Sequence, residues 1–406
     1  MNINLHNKLN KEILDILDKC IQAANISNIH IYLVGGIVRD ILLSRPIKDI
    51  DITIVGNVAD FIYVLKSVAD VADVQFIKNL PTAKVKFSNN ISIDFASTRK
   101  EIYKNFGDLP TITETGCNLE YDIQRRDFTI NTLIISLNKE NLFEVIDFTN
   151  GLQDLQNKKL RILHDKSFYD DPSRIIRGLK FAERLNFEIE KHTLSLQKEY
   201  LENPLQNIPL ERVKKEIKDL FLLNKSSCFD NFIKYKIYKL FVSKYNFNLN
   251  GEKIKNIVKI FNISREDCWL LYFLPLFQVE NPPEKLNLTV REKKIIKDLQ
   301  YYRGFSQIKN DKFSVYEFFK DKDYLSVIFF GMVYNLDIAR EYFNIKNVKI
   351  NVTGQDIIQL GIPQGKIYSE IRKYILKEKL NNNNLKTKEE EIEFIKQLLQ
   401  ERKTLE

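Results

Sequence analysis

The residues best suited to chemistry in this 406-residue chain are two aspartates that follow a pair of glycines. Gly35 and Gly36 end a short apolar run and begin a segment with helical spacing. Their backbone could approach a phosphate, and free N–H groups at the start of a helix favour an anion. Asp49 and Asp51 alternate with isoleucines, and residues i and i+2 of a strand lie on one face. The two carboxylates are therefore predicted to point the same way.

Two carboxylates on one face repel each other unless a cation lies between them. Mg²⁺ prefers carboxylate and phosphate oxygens in octahedral geometry, and two such ions about 3.5–4 Å apart can hold an in-line phosphoryl displacement. Asp94, in a later alternating stretch, is a candidate third ligand. The alternative is that Asp94 is a strand residue that only faces solvent. The pattern indicates Mg²⁺-assisted nucleotidyl transfer.

A second polar cluster is suited to binding a nucleotide. Arg125 and Arg126 could hold a triphosphate, because guanidinium groups match phosphate oxygens; a cluster of surface ion pairs is the alternative. Asp127 offers an acceptor and Asn131 both a donor and an acceptor, which suits recognition of a ribose hydroxyl.

A third constellation begins at Asp171, which precedes Pro172 and predicts a helix start with aspartate as the cap and proline as the first helical residue. Arg174 and Arg177 then follow at spacings of three, which places them near one face with Asp171. A carboxylate beside a guanidinium presents the acceptor and donors needed to pair with a nucleobase. Helix capping alone is the alternative, and the two roles are compatible because a carboxylate has two oxygens.

These segments occur in the order found in class II tRNA nucleotidyltransferases, and the chain resembles this family of CCA-adding enzymes and bacterial poly(A) polymerases. The resemblance covers residues 32–216, a little under half of the chain. It implies that the first segment is catalytic, that the second discriminates ribose from deoxyribose, and that the third is an amino-acid template for CTP or ATP. It also implies that Gly35, Gly36 and Arg39 hold the triphosphate together with the arginines of the second segment. The residues concerned are Gly35, Gly36, Arg39, Asp49 and Asp51, then Arg125, Arg126, Asp127 and Asn131, and finally Asp171, Arg174 and Arg177.

Two further motifs resemble supporting parts of the family. Asp147 and Asp154 lie in a hinge-like connector, and Glu211 and Arg212 lie in a motif that braces the template helix. Asp170 stands where the family usually has glutamate. The Asp-Asp-Pro form, with residues 107–110 upstream, resembles a subgroup in which one enzyme adds CC and another adds the final A. The extent of CCA addition therefore stays open.

The resemblance implies an α+β fold with an N-terminal, polymerase-beta-like nucleotidyltransferase head that contains a mixed β-sheet. Alternating strand-like runs at residues 30–34, 50–55, 72–78, 83–88 and 91–97 agree, and helical patterns dominate beyond Asp171. We expect a catalytic head at 1–165, followed by an all-helical region. It comprises a neck with the template motif at 166–225, a body at 226–345 and a tRNA-binding tail at 346–406.

Bulk properties suit a protein that binds a polyanion without proving it. The net charge is +8, which is a modest excess. Four scattered cysteines without Cys-x-x-Cys spacing argue against a zinc site or a disulfide framework. No segment is apolar and long enough to cross a bilayer, and the N-terminus lacks the apolar core of a signal peptide. We expect a cytoplasmic protein with no membrane association; the oligomeric state stays open.

The predicted function is tRNA 3′-end nucleotidyl transfer, in which CTP, ATP or both supply all or part of the CCA end, pyrophosphate is released and Mg²⁺ is the cofactor. The predicted partner is tRNA, contacted along its acceptor and TΨC arm. The alternatives are a poly(A) polymerase and, in another class, a non-catalytic RNA-binding protein. Response to CTP distinguishes the first alternative, and the intact acidic pair Asp49 and Asp51 argues against the second.

Overall fold

The computed structural model describes residues 1–205, 208, 210–245, 248–303, 308–309, 311–362, 365–382 and 384–403, with side chains described as far as residue 400. The chain divides into two compact units, Met1–Leu240 and Phe241–Glu406. No helix among the described residues is long and apolar enough to span a membrane.

The first unit is organised around a seven-stranded mixed sheet with the strand order β3-β4-β5-β2-β1-β8-β9. Two small two-stranded sheets, β6-β7 and β10-β11, accompany it. The strands are β1 His30–Val34, β2 Asp51–Val55, β3 Val71–Phe76, β4 Thr82–Phe87, β5 Ser92–Ser97, β6 Arg99–Ile102, β7 Thr111–Thr115, β8 Ile134–Ser136, β9 Val145–Ile146, β10 Lys159–Leu160 and β11 Glu188–Ile189.

Helices of the first unit connect these strands and then follow them. They are α1 Lys11–Ser27, α2 Gly36–Leu42, α3 Val58–Val68, α4 Leu119–Gln124, α5 Gly151–Gln156, α6 Ser167–Asp170, α7 Ser173–Leu185, α8 Lys191–Glu202, α9 Leu210–Phe221 and α10 Ser226–Lys234. Short 3₁₀ turns span Leu5–Asn7, Thr129–Asn131, Lys139–Asn141 and Ile237–Leu240.

The five sequence-predicted strands correspond to β1–β5, with boundaries within two residues. Alternation is visible in the burial of β4, where Ala83, Val85 and Phe87 are buried between exposed lysines. Phe95 of β5 packs against Phe61 of α3 with ring centroids 5.6 Å apart, so this helix covers the apolar face of the sheet. Short strands β6–β11 were not predicted, because two to five residues carry too little periodicity to separate a strand from a loop.

The pairing of β2 with β5 places two acidic residues side by side. These strands are parallel, with Asp51 opposite Asp94 and Ile52 opposite Phe95, whereas the pairs β1-β2 and β4-β5 are antiparallel. Residues opposite each other in neighbouring strands point to the same face of a sheet. Tertiary pairing therefore joins Asp94 to the acidic pair.

The second unit is helical throughout its described residues. Its α-helices are α11 Gly251–Ile260, α12 Arg265–Phe273, α13 Val290–Tyr302, α14 Lys312–Phe319, α15 Tyr324–Val333, α16 Leu336–Ile345, α17 Gly354–Gln359, α18 Lys366–Asn381 and α19 Lys388–Lys403, with 3₁₀ turns at Leu274–Gln278 and Glu284–Leu286. A mixed-sheet head followed by helices confirms the predicted fold class.

The boundary between the units lies beyond the predicted neck–body boundary at residue 225. Helix α10 belongs to the first unit because Glu183 of α7 accepts hydrogen bonds from Ser227 (2.6 Å) and Asn231 (2.7 Å). The division of the second unit into body and tail stays a prediction, and residues 404–406 of the predicted tail lie outside the described residues.

Candidate active site

Gly35 lies where the acidic and basic parts of the site meet. Its φ of +74° is in the left-handed region, which favours glycine. A β-carbon built on it would lie 3.7 Å from Nη1 of Arg126 and 3.9 Å from Oδ2 of Asp51. The doublet continues into α2 at Gly36, as predicted. Residues far apart in the sequence thus converge on one turn of backbone.

The predicted placement of both aspartates on one strand was wrong at its boundary, since β2 begins at Asp51 and Asp49 is an exposed residue before it. The two carboxylates still interact. Burial raises the pKa of Asp51 to about 6, and the negative charges of Asp94 and Asp49 add to the effect while Arg126 opposes it. A cation bound near Asp51 would stabilise its ionised carboxylate and lower this pKa.

Hard oxygen donors make this corner suitable for a divalent cation. Asp94 is half-exposed and lies 3.9 Å from Nζ of Lys84. Among the described residues, no three His, Cys, Asp or Glu side chains are gathered closely enough to form a complete metal cage. Mg²⁺ commonly takes only one or two protein carboxylates and completes its shell with water and substrate phosphate. The carboxylates present therefore fit Mg²⁺ bound together with a nucleotide.

Asp122, which sequence reasoning missed, holds both arginines of the second cluster. Its Oδ1 accepts from Nε (2.9 Å) and Nη2 (2.6 Å) of Arg125, and its Oδ2 accepts from Nη2 of Arg126 (2.8 Å). Burial alone would raise the pKa of Asp122, but the two guanidiniums outweigh it and lower the value. The spacings of three and four residues between Asp122, near the end of α4, and the two arginines that follow this helix were the available signal.

Asp127 and Asn131 face each other in a buried network. Oδ1 of Asp127 accepts from Nδ2 of Asn131 (3.1 Å) and from the backbone N–H of Phe128 (2.8 Å). Nη1 of Arg39 donates to Oδ1 of Asn131 (2.6 Å), and its Nε donates to Asp40 (3.0 Å). Arg39 is only 2% exposed. The structure thus places this predicted phosphate ligand behind Asn131 and inside the protein.

Arg177 links this network to helix α9. Its Nε and Nη2 donate to Oδ2 of Asp127 (2.9 and 2.6 Å), and its Nη1 donates to Glu216 (3.0 Å). Glu216 also pairs with Lys180. Burial by itself would raise the pKa of Asp127, but Arg177 and Asn131 together lower it to about 2. The predicted nucleotide ligand Arg177 is therefore the counter-ion of Asp127.

The template residues are buried and fully engaged with protein groups. Oδ1 of Asp171 accepts from the backbone N–H (3.1 Å) and the hydroxyl (2.6 Å) of Ser173, while Nη2 of Arg212 contacts its Oδ2 at 2.8 Å. Arg174 donates to the hydroxyl of Ser167 (2.7 Å) and to the carbonyl of Arg125 (2.8 Å). Asp171 and Arg174 approach each other at 4.0 Å.

Helix α7 begins at Ser173 with Pro172 as its cap residue, one residue later than predicted. The side chain of Asp171 nevertheless accepts a hydrogen bond from the first helical N–H group, that of Ser173. Arg212 contacts Asp171 as the predicted brace would. Glu211 lies exposed in the first turn of α9, and Asp170 lies 3.6 Å from Nε2 of His164.

The hinge residues Asp147 and Asp154 organise a separate corner around α5. Asp147 accepts three backbone N–H groups, from Thr149 (3.0 Å), Gly151 (2.9 Å) and Leu152 (2.9 Å). Asp154 accepts from Thr129 Oγ1 (2.7 Å) and from Arg161. Gly151 packs so closely that a β-carbon on it would lie 2.3 Å from the carbonyl oxygen of Thr129. This corner fixes the connector and does not join the acidic pair.

A cavity of about 900 Å³ adjoins the template residues in the first unit. Arg174 and Arg125 lie on its wall together with Tyr103, Tyr121 and Phe148. Nζ of Lys100 lies 4.7 Å from the ring centroid of Tyr121. The cavity offers room for a nucleotide beside Arg174.

Known proteins share both the head and the whole fold. Residues 31–161 match the poly(A) polymerase head domain. The A-adding tRNA nucleotidyltransferase of Geobacter sulfurreducens is 28% identical over 86% of this chain and 43% of its own length. The CCA-adding enzyme of Ligilactobacillus salivarius is 27% identical over 97% of both chains. A solved structure, the Thermotoga maritima CCA-adding enzyme complexed with tRNA_CCA, has a TM-score of 0.76 at 23% identity, covering 97% of each chain.

These likenesses differ in what they establish. The structural likeness establishes the fold. The chain spans half or less of the length of the first three curated relatives, all A-adding tRNA nucleotidyltransferases. The head domain, the ordered motifs and the relatives that match across the chain nevertheless agree with one another. Residues 31–161 thus match a poly(A) polymerase head domain, and the chain as a whole is similar to A-adding and CCA-adding tRNA nucleotidyltransferases.

Proposed function

We propose that this protein is an enzyme that transfers nucleotides from CTP, ATP or both to the 3′ end of tRNA, adding the CCA sequence or a part of it. The observation that carries the proposal is the convergence of Asp51 and Arg126 on Gly35. A carboxylate that needs a cation and a guanidinium that suits phosphate meet where the backbone carries no side chain. This is the arrangement that a nucleoside triphosphate with its metal requires.

The acidic residues are the proposed ligands of Mg²⁺. Asp49 and Asp51 would hold it, with Asp94 as a third carboxylate on the neighbouring strand. Bound Mg²⁺ would supply positive charge that favours the deprotonated 3′-hydroxyl and the charge on the phosphate under attack. The 3′-oxygen then bonds to the α-phosphorus, the bond from that phosphorus to the bridging oxygen breaks, and pyrophosphate leaves.

The basic residues are the proposed triphosphate ligands. Nη1 of Arg126 lies beside Gly35, and Arg125 is held next to it by the shared carboxylate of Asp122. Arg39 supports the site from behind through Asn131. Arg126 is thus the arginine in the best position to meet the phosphates.

Asp127 and Asn131 are the proposed sugar-recognising pair, and their bonding constrains how they act. Asp127 already accepts four hydrogen bonds, from Phe128, from Asn131 and twice from Arg177. A carboxylate has about four acceptor positions. A ribose hydroxyl would therefore replace one of these bonds rather than add a fifth.

Asp171 and Arg174 are the proposed readers of the base edge. Both are about 3% exposed and already bonded to protein groups. A base that matches their donors and acceptors can replace those bonds, whereas a mismatched base leaves buried polar groups unpaired at a cost of about 1–3 kcal/mol each. Because Asp171 and Arg174 are buried, the enzyme would select the base by letting it exchange hydrogen bonds with the protein groups that now bind these two side chains.

The helices of the second unit are the proposed contacts for the acceptor and TΨC arm of tRNA. Duplex RNA is recognised mainly by shape and by phosphate and 2′-hydroxyl contacts. The net charge of +8 favours such a partner. For a protein acting on this substrate we propose a cytoplasmic location.

A poly(A) polymerase is the second candidate, because the head domain that matches is named for that activity. Such an enzyme would extend many RNA 3′ ends with ATP and would neglect CTP. The Geobacter sulfurreducens relative, named for A addition to tRNA, supports the tRNA substrate instead.

The test is single-nucleotide incorporation with Mg²⁺ on three tRNA transcripts that end at the discriminator base, after the first C and after the second C. Extension of all three in the proper order indicates a complete CCA-adding enzyme. Extension of only the CC-ended transcript with ATP indicates an A-adding enzyme, and CTP addition that stops at CC indicates a CC-adding one. Failure to extend any transcript, with tRNA binding retained, would refute the enzymatic proposal.

A further inference from the structure

We propose that Asp122 is the positioning residue of the triphosphate site, acting through Arg126. This inference rests on the proposed function and concerns a residue outside the family motifs identified above. Asp122 is completely buried in α4, so it does not contact substrate. Its effect on nucleotide binding must pass through the groups that it holds.

The two arginines bind different carboxylate oxygens of Asp122. Arg125 occupies Oδ1, where the backbone N–H of Arg99 also donates at 3.2 Å, and Arg126 occupies Oδ2. Each guanidinium therefore has its own acceptor, and neither must leave for the other to bind. Two adjacent like charges, which would otherwise repel, are held side by side by the buried carboxylate of Asp122, while Glu101 lies 3.8 Å from Nη1 of Arg125.

The contact with Asp122 also determines which nitrogen of Arg126 remains available to bind a ligand. Nη2 is bound to Asp122, while Nε is buried without a hydrogen-bond partner among the described residues. Nη1 is the nitrogen nearest to Gly35, 3.7 Å from a β-carbon built there, and Oδ2 of Asp51 lies 3.9 Å from the same point. Asp122 thus aims one nitrogen of Arg126 at the position proposed for the phosphates and metal.

Asp122→Asn is the direct test, because it keeps the side-chain shape but replaces one charged acceptor with a donor that faces a guanidinium. We expect the nucleotide KM to rise about tenfold or more, the size of effect seen when a residue that orients a ligand-binding group is removed. The KM for RNA and kcat should stay unchanged, since the lost interaction holds nucleotide equally in the ground and transition states. Direct titration of ATP and CTP should show the same loss of affinity.

A double-mutant cycle that combines Asp122→Asn with Arg126→Ala tests whether Asp122 affects nucleotide binding through Arg126. If Asp122 acts through Arg126, the double variant should bind nucleotide no more weakly than Arg126→Ala alone. Effects that multiply would show that Asp122 acts elsewhere and would overturn the inference. Asp298→Asn is the matched control, since Asp298 is also a buried carboxylate that accepts from a lysine, Lys322 (3.0 Å), but belongs to the second unit.

Arg126→Lys provides a second test if Asp122→Asn does not fold. The lysine keeps the positive charge, but one ammonium cannot donate to Asp122 and lie over Gly35 in the fixed geometry of a guanidinium fork. We expect a nucleotide KM about as high as that of Asp122→Asn, and an unchanged KM would overturn the inference. If the wild-type chain binds neither ATP nor CTP, the proposed function itself fails; if it binds them and Asp122→Asn binds equally well, only the inference fails.

Discussion

Replacing Asp127 by asparagine should destabilise the first unit in a way that depends on pH. Asp127 is a buried carboxylate whose pKa is lowered from 3.8 to about 2, because Arg177 and Asn131 outweigh the opposing effect of burial. A carboxyl whose folded-state pKa lies below its unfolded value stabilises the fold above the unfolded pKa. That stabilisation is lost as the pH falls through the folded-state pKa.

The magnitude follows from the difference between the two pKa values. One pKa unit corresponds to about 1.4 kcal/mol, so the ionised Asp127 contributes about 2.5 kcal/mol near pH 7. At pH 3, between the two pKa values, about half of this remains. The asparagine variant removes the titrating group, and Arg177 keeps Glu216 as a partner at 3.0 Å, so its charge is not left isolated.

The assay is urea unfolding of wild type and Asp127→Asn, followed by far-ultraviolet circular dichroism between pH 7 and pH 3. We expect the difference in unfolding free energy to be about 2.5 kcal/mol at neutral pH and to shrink steadily on acidification. Asp18→Asn, an exposed carboxylate on α1 of the same unit, is the control and should change stability by less than about 0.5 kcal/mol at any pH. If the difference in unfolding free energy between wild type and Asp127→Asn is independent of pH, the reasoning is refuted. Arg177 would then not be stabilising the ionised form of Asp127.

Three further outcomes follow from the site. Asp49→Asn combined with Asp51→Asn should abolish transfer of every nucleotide while tRNA affinity, measured by gel shift, survives; retained turnover would exclude these residues as metal ligands. Arg174→Ala should blur the choice between CTP and ATP more than it slows transfer, measured by competition between the two nucleotides, and faithful residual activity would make it a structural helix residue. Gly151→Ala should destabilise the fold by at least about 1–3 kcal/mol, because its β-carbon would lie 2.3 Å from the carbonyl oxygen of Thr129; an unchanged melting temperature would contradict this close contact.

The sequence predicted the elements of the head well because its central strands alternate clearly. The family resemblance predicts that the motif containing Glu211 and Arg212 braces the predicted template helix, and in the structure Arg212 contacts Asp171. Other placements depended on tertiary structure. Only the parallel pairing of β2 and β5 brings Asp94 opposite Asp51. Nothing in the local sequence around Arg39 indicates that it is buried.

Partner choice among charged residues was the least predictable part of the site. Arg177 was expected to bind nucleotide and instead neutralises Asp127, which lies 50 residues earlier in the chain. Asp122 was overlooked because a single aspartate in a short helix is usually a solvent-exposed surface residue. Its complete burial between two arginines becomes visible only in three dimensions.

The ion pairs around Asp127 have a consequence for protein synthesis. A ribosome makes residues 1–165, with the whole seven-stranded sheet, before Arg177 and Glu216 exist. In such a nascent chain Asp127 lacks its counter-ion, so any burial would raise its pKa and favour the uncharged form. Asp127 can gain this counter-ion only after α7, which carries Arg177, has left the exit tunnel. Incomplete chains that end before α7 therefore contain Asp49 and Asp51 but lack the ion pair that keeps Asp127 ionised when it is buried.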